Sequence, residues 1–476
     1  MTRFHLFALG VLMLPVAALA TDAAGGEPGK TNVVLILIDD LGWKDVGCCG
    51  STYYQTPQID RLASEGMRFT NGYAACNVCS PTRAAIMTGK YPARLLLTQW
   101  LPSGRWNPKR HKMREGRYIS NLPLEEVTIA EAMREAGYRT AFMGKWHLGT
   151  ETYYYPEHQG FDVNVGGRDY GAPGGYFYPF KGSWKIPTTG KTLHKDSPVG
   201  GKKGDYLVDR LAEEAEAFIR ESAGKPFFLV LSHYAVHTPL QGKPKKVACY
   251  EKVPKDRRQG KPAYAAMVES VDDSVGRVMR TLRDLGLEDR TLVIFTSDNG
   301  GFAGATDNAP LRANKGTNYE GGLRVPVIVK WPGHTRPGST SDEPVISTDF
   351  YPTILEATGQ DLRPHQHVDG KSLTPLLEGE GGFTRDALFW HYPHYNRHPQ
   401  SHPSGVIRAG DWKLIENYET GQVALYNLVD DVGETNNLAQ RQPAKAAELL
   451  GRLKAWRAEV GADPMRPNPQ YEGDPR

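Results

Sequence analysis

Val33-Val34-Leu35-Ile36-Leu37-Ile38 runs without a break into Asp39-Asp40-Leu41-Gly42. The apolar run is largely β-branched and lacks the alternation of a half-exposed strand. Such a segment is buried on both faces, as in a parallel sheet with helices on either side. Three further junctions repeat the pattern. Arg139 to Met143 leads into Gly144-Lys145-Trp146-His147. Phe227 to Leu231 leads into Ser232-His233 and then His237, and Leu292 to Phe295 into Ser297-Asp298-Asn299-Gly300-Gly301. Amphipathic helical spacing fills the intervals at Pro57 to Glu65, Thr128 to Ala136, Asp205 to Ser222 and Tyr264 to Leu285. Alternating strands and helices predict an α/β fold with a large, mixed, mostly parallel central sheet flanked by helices. Ligands of such sheets bind outside the carboxyl ends of the strands. All four polar clusters lie there, which points to one shared site.

The rest of the chain is organised around this unit. Leu96 to Leu122 is rich in Arg, Trp, Lys and Pro, and Tyr153 to Val199 in Tyr, Gly and Pro. Both read as long loops over the sheet edge, where substrates are selected. Beyond Leu377 the texture changes to short strands: Ala387 to His391, Gly405 to Ile407, Trp412 to Ile415 and Ala424 to Tyr426. Ala444 to Val460 is an amphipathic closing helix. We therefore expect a large domain over residues 31–376 and a small α+β domain with a short antiparallel sheet over residues 377–476.

Residues 1–20 have a basic start at Arg3, an apolar core from Leu6 to Ala18 and the small-residue end Ala18-Leu19-Ala20. This is the pattern of a secretory signal peptide, with an uncleaved membrane anchor as the alternative, followed by a linker over residues 21–30. It predicts export to the periplasm or the extracellular space. Past that point no run of about 18 apolar residues occurs, so no membrane span is expected in the mature chain. The net charge of +3 over 476 residues, without a basic run, gives no support to a nucleic-acid partner. The five cysteines, Cys48, Cys49, Cys76, Cys79 and Cys249, are too few and too odd for a disulfide scaffold. Sequence alone does not decide whether any of them pair.

Asp39-Asp40 and Asp298-Asn299 supply three carboxylates and an amide oxygen. Oxygen donors of this kind suit a hard divalent cation, Ca²⁺ or Mg²⁺, rather than zinc. Either pair alone also reads as a turn or helix cap. In Cys79-Ser80-Pro81-Thr82-Arg83 the proline fits the first turn of a helix. Ala84-Ala85-Ile86-Met87 continues that helix, and Gly89 is a natural end to it. Cys79 therefore lies at a helix N-terminus, where backbone N–H groups favour anionic oxygens. On spacing alone it could equally be a buried structural cysteine.

Cys79-Ser80-Pro81-Thr82-Arg83 resembles the C-x-P-x-R signature of the formylglycine-dependent sulfatases, members of the alkaline phosphatase superfamily. Further blocks resemble that family in the same order: Asp39 to Gly42, Gly144 to Gly149, His237-Thr238-Pro239 and Ser297 to Gly301. So do Lys315-Gly316-Thr317 with Tyr319 to Gly322 and Arg324 to Pro326, Thr348 to Thr353, and Leu425 to Leu428. The resemblance covers nearly the whole chain beyond the signal. It implies an alkaline phosphatase-like fold, a catalytic domain over residues 31–376, and conversion of Cys79 to formylglycine by a maturation enzyme. The hydrated aldehyde, a gem-diol, is then the nucleophile. One hydroxyl attacks sulfur and the other later expels sulfate as the aldehyde re-forms. By the same resemblance, Asp39, Asp40, Asp298 and Asn299 hold one Ca²⁺ (Mg²⁺ being the less favoured ion), with residue 79 also facing the metal. Arg83 orients the hydrate, and Lys145 and Lys315 neutralise charge on the sulfuryl oxygens. His147 acts as base, and His237 with Lys315 serves the leaving oxygen. His233 matches no family block and reads as structural.

For substrate, Trp100, Arg105, Trp106, His394 and Tyr395 lie in loops that could face the site. Rings stack on sugar faces and Arg binds anions, which suits a sulfated carbohydrate. The resemblance is to bacterial and lysosomal carbohydrate sulfatases rather than small-aryl enzymes, and within that group it leans towards the galactose and N-acetylgalactosamine sulfate type. The competing readings are a broad arylsulfatase, a formylglycine-dependent phosphonate monoester or phosphodiester hydrolase, and a glycan-binding protein on an inactive scaffold. The last predicts a missing catalytic group, yet every matched position is filled by a competent residue.

Overall fold

In a computed structural model, residues 29–102, 104–149, 151–186, 190–195 and 199–473 are described. The expected export signal and most of the linker lie outside them. The central sheet has eight strands. In spatial order they are Ser339–Ser341, Met67–Phe69, Val327–Lys330, Thr291–Ser297, Asn32–Ile38, Phe227–Ser232, Arg139–Gly144 and Val163–Val165. The five strands from Thr291–Ser297 to Val163–Val165 run parallel, and the Val327–Lys330 strand is antiparallel to its neighbours. The sheet is thus mixed and mostly parallel, as expected.

The Asn32–Ile38 strand is buried throughout. Val34, Ile36 and Ile38 enter one apolar core, with residues of helices Pro57–Glu65, Leu207–Glu221 and Pro262–Asp284. Val33, Leu35 and Leu37 enter the other, with residues of helices Cys79–Thr88, Ile129–Glu135 and Phe350–Ala357. Alternate side chains feed two cores, which is why no hydrophobic alternation marks the strand.

Register decides where the site falls. Ile38 pairs with Ser297, Leu37 with Ser232, and Gly144 with Ser232. Four strands therefore end level with one another, and the next residue of each is polar. Gly144 makes this possible at its own strand end. Its φ is +105°, and a Cβ there would sit 1.9 Å from the Ser232 carbonyl oxygen. Only glycine lets the chain turn so close to that carbonyl, to which Lys145 N–H donates at 2.7 Å.

The second sheet is antiparallel, with strands Leu388–Tyr392, Ser404–Ala409, Trp412–Asn417 and Val423–Asn427. Helix Pro443–Glu459 packs on it through Leu449, Leu453 and Trp456. Among the described residues no helix is long and apolar enough to cross a membrane. None of the five cysteines is paired.

Candidate active site

Helix Cys79–Thr88 brings the pentapeptide to the strand ends and is buried along its whole length. Thr82 Oγ1 accepts from Cys76 N at 3.0 Å and donates to the Cys76 carbonyl at 3.1 Å, fixing the entry of the chain into the first turn. Gly89 closes the helix with a φ of 68°, its N–H donating to the Ala85 carbonyl. Cys79 therefore presents its thiol from the first residue of a helix on the level of Asp39, Asp298 and Lys145.

Acidic and basic groups interlock around it. Lys145 Nζ lies 2.7 Å from Asp39 Oδ2, with both side chains fully buried. Arg83, one turn beyond Cys79, binds Asp298 through Nε at 2.8 Å and through its second terminal nitrogen at 2.7 Å. Its other terminal nitrogen donates to the Lys145 carbonyl at 2.6 Å and to Ser232 Oγ at 2.7 Å. The guanidinium is thus a brace between three strand ends. Lys315 Nζ lies 2.5 Å from Asp40 Oδ1 and 3.5 Å from Cys79 Sγ. Its backbone explains the placement: Lys315 N–H donates to the Gly301 carbonyl, and Gly316 N–H to that of Asn77.

Two loops complete the ring. Asp39 N–H donates to the Ala235 carbonyl at 3.0 Å and Val236 N–H returns a bond to Asp39 at 2.7 Å. This locks the segment that carries His237, whose Nε2 lies 3.7 Å from Asp40 Oδ2. His237 Nδ1 donates to the Thr238 carbonyl at 2.9 Å, because a carbonyl can only accept. By the same logic His147 Nε2 donates to the Leu101 carbonyl at 2.6 Å. His147 Nδ1 is buried and has no hydrogen-bond partner. Asp40 and His147 both adopt left-handed backbone, with φ of 61° each. Such conformations persist where surrounding structure over-determines them, and they concentrate at functional sites. His233 is fully buried against Ser274 Oγ, away from this ring, as a structural histidine.

Burial and charge set the protonation states. Burial pushes the Cys79 thiol up to about 11, although Lys145 and Lys315 pull it down. In the protein's own field it is not a ready thiolate. Burial, and the neighbouring positive charges of Lys145 for His147 and Lys315 for His237, keep both imidazoles neutral, with His237 down at about 3. Burial opposes the charge on Lys315 too, but the carboxylate of Asp40 beside it holds the ammonium well above its ordinary range.

The residues present fit a hard cation. Asp39 Oδ1 and Asn299 Oδ1 are both buried without a hydrogen-bond donor. The ligand atoms of Asp39, Cys79 and Asp298 all lie within 4.8 Å of one another, as do those of Asp40, Cys79 and His237. Orphaned buried oxygens are costly unless something positive meets them.

Above this floor opens a cavity of about 480 Å³. Asp40, Cys79, His147, His237 and Lys315 line it, while Asp39, Arg83, Lys145, Asp298 and Asn299 are buried and do not line it. Of the five loop residues expected to meet substrate, Trp100 and Arg105 line the cavity. Trp106 faces a neighbouring cavity instead. His394 is fully buried, hydrogen-bonded to Thr98 Oγ1 at 2.8 Å and edge-on to Tyr118 and Tyr392. Tyr395 is buried behind the wall, stacked 3.9 Å from His111. These two hold a loop rather than face the opening. Trp184, Leu193, Lys195 and His398 line the cavity and were not singled out from sequence. The first three come from a hairpin, Gly182–Lys185 with Thr192–Lys195, inside a segment that read as loop. Trp184 approaches Trp100 at 6.1 Å, and Arg105 lies over both rings at 5.2 Å and 5.8 Å.

A mostly parallel sheet whose strand ends carry acids, bases and a helix-borne cysteine is the arrangement that the resemblance in sequence implies. Residues 31–360 match the sulfatase family, and residues 313–459 match N-sulphoglucosamine sulphohydrolase, C-terminal. The chain belongs to the sulfatase family and is a sulfuric ester hydrolase. It is 36% identical to arylsulfatase A of Homo sapiens, over 92% of this chain and 88% of the relative. It is 33% identical to N-acetylgalactosamine-6-sulfatase of Rattus norvegicus, over 77% of this chain and 70% of the relative. The crystal structure of Ps i-CgsB in complex with k-i-k-neocarrahexaose is also similar, with 31% identity and a TM-score of 0.75. That match covers 90% of this chain and 93% of the other.

Proposed function

We propose that this enzyme removes sulfate from a sulfated carbohydrate, with residue 79 as a formylglycine and a single divalent cation, Ca²⁺, beside it. The observation that carries the reading is Cys79 itself. It lies on the floor of the cavity, 3.5 Å from Lys315 Nζ, at the centre of the carboxylate and ammonium ring. As a thiol held up at about 11 it is poorly suited to attack sulfur directly. As a hydrated aldehyde it supplies one hydroxyl for attack and a second to expel sulfate.

The cation would be held by Asp39, Asp40, Asp298 and Asn299, and would supply positive charge to a sulfate oxygen and to the hydrate. The chain's own groups do the rest. Lys315, which lines the cavity, would place an ammonium beside the sulfuryl oxygens, and Lys145, buried on Asp39, would add positive charge from behind. Lys315 keeps its proton and would donate a strong hydrogen bond to the leaving oxygen. His237, neutral and with its one N–H given to the Thr238 carbonyl, has no proton for the leaving oxygen in this state, which leaves the donor role to Lys315. His147 is neutral, and its free Nδ1 can take a proton from the second hydroxyl. Arg83 orients the hydrate indirectly, by fixing Asp298 and the turn at Lys145.

The carbohydrate assignment draws on the rings and cations over the opening, on the N-acetylgalactosamine-6-sulfatase relative and on the carrahexaose complex of Ps i-CgsB. Galactose and N-acetylgalactosamine sulfates are the favoured class. Export through residues 1–20 and maturation by a formylglycine-generating enzyme belong to the same proposal. Hydrolysis of 4-nitrophenyl sulfate against 4-nitrophenyl phosphonate tests the chemistry, and faster phosphonate turnover would overturn it. A screen of sulfated galactose, N-acetylgalactosamine and glucosamine sugars tests the substrate.

The metal assignment has its own readout. Calcium at a hundredfold excess over its Kd should stabilise the fold by about 2.7 kcal/mol, visible as a rise in melting temperature over the chelated protein. Asp298→Ala should abolish that rise. A calcium shift that persists in Asp298→Ala counts against this ligand set.

A further inference from the structure

Next to the catalytic cavity lies a second one of about 770 Å³, and Arg105 lines both. Arg110 and Arg397 also line the second cavity, with Trp106, His111 and Tyr118 as its rings and Glu115 as its acid. Glu115 is already engaged, accepting from Tyr395 N–H at 2.9 Å and lying 3.7 Å from His394 Nδ1. Three guanidinium groups therefore face a space whose one carboxylate is committed to its own wall. Arg105 Nη1 is buried with no hydrogen-bond partner. Burial, and then the like charge of Arg397, both disfavour the charge on Arg105. An anion between them would relieve both.

The wall is built rather than loose. Met113–Arg114 pairs with Arg466–Pro467 near the C-terminus. Asn468 Nδ2 donates to the carbonyls of Pro108 at 2.6 Å and His111 at 2.7 Å. The stack of His111 on Tyr395 pins the same loop from the other side. A preorganised wall lowers the cost of ordering a ligand.

We propose that this second cavity binds a second sulfate group of the substrate, carried on a sugar beyond the one that is hydrolysed, with Arg105 bridging the two cavities. Planar guanidinium forks suit an anion with several oxygens, and Trp106 and Tyr118 offer faces for the sugar. This rests on the carbohydrate sulfatase reading and narrows it to substrates of at least two sugar units bearing more than one sulfate.

The test is inhibition of 4-nitrophenyl sulfate turnover by galactose 6-sulfate, by a carrageenan hexasaccharide whose anions are all sulfates, and by a hyaluronan hexasaccharide whose anions are all carboxylates. The carrageenan fragment should inhibit at least about tenfold more tightly than the monosaccharide, and the hyaluronan fragment should not. Arg110→Ala and Arg397→Ala, both at exposed positions, should each weaken the carrageenan fragment by about tenfold, the size expected for one charge-assisted contact. Turnover of 4-nitrophenyl sulfate should stay unchanged in both, which also shows that they fold. Equal inhibition of wild type and variants, no gain for the carrageenan fragment, or equal binding of the hyaluronan fragment would each overturn the proposal. Failure of the sulfatase reading shows separately, as absent 4-nitrophenyl sulfate turnover. Calorimetric titration of the same fragments into wild type and variants then still reports on the second cavity.

Discussion

Cys79→Ala should lower kcat for sulfate ester hydrolysis about ten-thousand-fold or more while leaving the protein folded. Loss of a covalent nucleophile typically costs that much, because the remaining groups can only bind and polarise the substrate. The fold should tolerate the change. Cys79 is the first residue of its helix, alanine is the best helix former, and the Thr82 bond to Cys76 does not involve the thiol. Lys145 and Lys315 remain in place, so competitive inhibition by inorganic sulfate should survive. The same argument makes a second, sharper prediction about preparations rather than variants. Specific activity should rise in proportion to the fraction of chains whose residue 79 is an aldehyde, measured by mass spectrometry of the peptide containing it. Full activity from a preparation that carries only the thiol would sink the mechanism, because burial leaves that thiol un-ionised.

Much of this site was legible in the sequence because parallel strands advertise themselves. Asn32–Ile38 and Phe227–Ser232 are buried on both faces, so they appear as unbroken apolar runs. Asn32–Ile38 ends where the sheet ends, so the first polar residue after it, Asp39, is a residue of the site, whereas His233 after Phe227–Ser232 packs on Ser274 instead. That is why the sequence alone groups Asp39, Lys145 and Asp298 at one set of strand ends. The helix start at Cys79 was legible from Pro81, and its end from Gly89.

Other parts left weaker marks. Met67–Phe69 and Ser339–Ser341 are three residues each, too short for a period to show. The hairpin carrying Trp184, Leu193 and Lys195 is partly exposed and mostly polar, so its alternation does not stand out from the surrounding loop. Its place over the cavity depends on the packing of Trp184 against Trp100 and Arg105, residues far away in the sequence. His394 and Tyr395 show the converse. An aromatic, cationic loop looks like a binding surface in sequence, but burial against Tyr118 and Tyr392 turned His394 into wall. The arginines of the second cavity, Arg105, Arg110 and Arg397, come from two distant segments. No spacing rule connects them.

Glu320→Ala should cause the largest loss of stability among single changes outside the catalytic ring. Glu320 opens the short helix Glu320–Leu323, which follows the Lys315 loop, and is fully buried. Its Oε1 meets Lys413 Nζ at 2.9 Å, and Lys413 belongs to strand Trp412–Asn417 of the small sheet. Its Oε2 accepts from Arg324 Nε at 2.7 Å and from Tyr73 Oη at 2.8 Å. Glu434 closes the network, 2.9 Å from Lys413 Nζ and accepting from Glu320 N–H at 2.7 Å. This cluster ties the antiparallel sheet to the segment that positions Lys315. Removing Glu320 leaves Lys413 and Arg324 buried with part of their charge unmet, a loss of about 3–5 kcal/mol. In a chain of this size that should appear as a fall in melting temperature of roughly 5 °C or more. Activity at low temperature should fall less, since Lys315 keeps its own bond to Asp40. The cause can be separated from simple cavity formation. Lys413→Met alone should destabilise by leaving Glu320 and Glu434 facing each other without their shared cation. The pair Glu320→Ala with Lys413→Met should be less harmful than the two single effects added, because it removes opposite charges together. Additive losses in that cycle, or a Glu320→Ala protein that melts with the wild type, would show that the network does not join the sheet to the site.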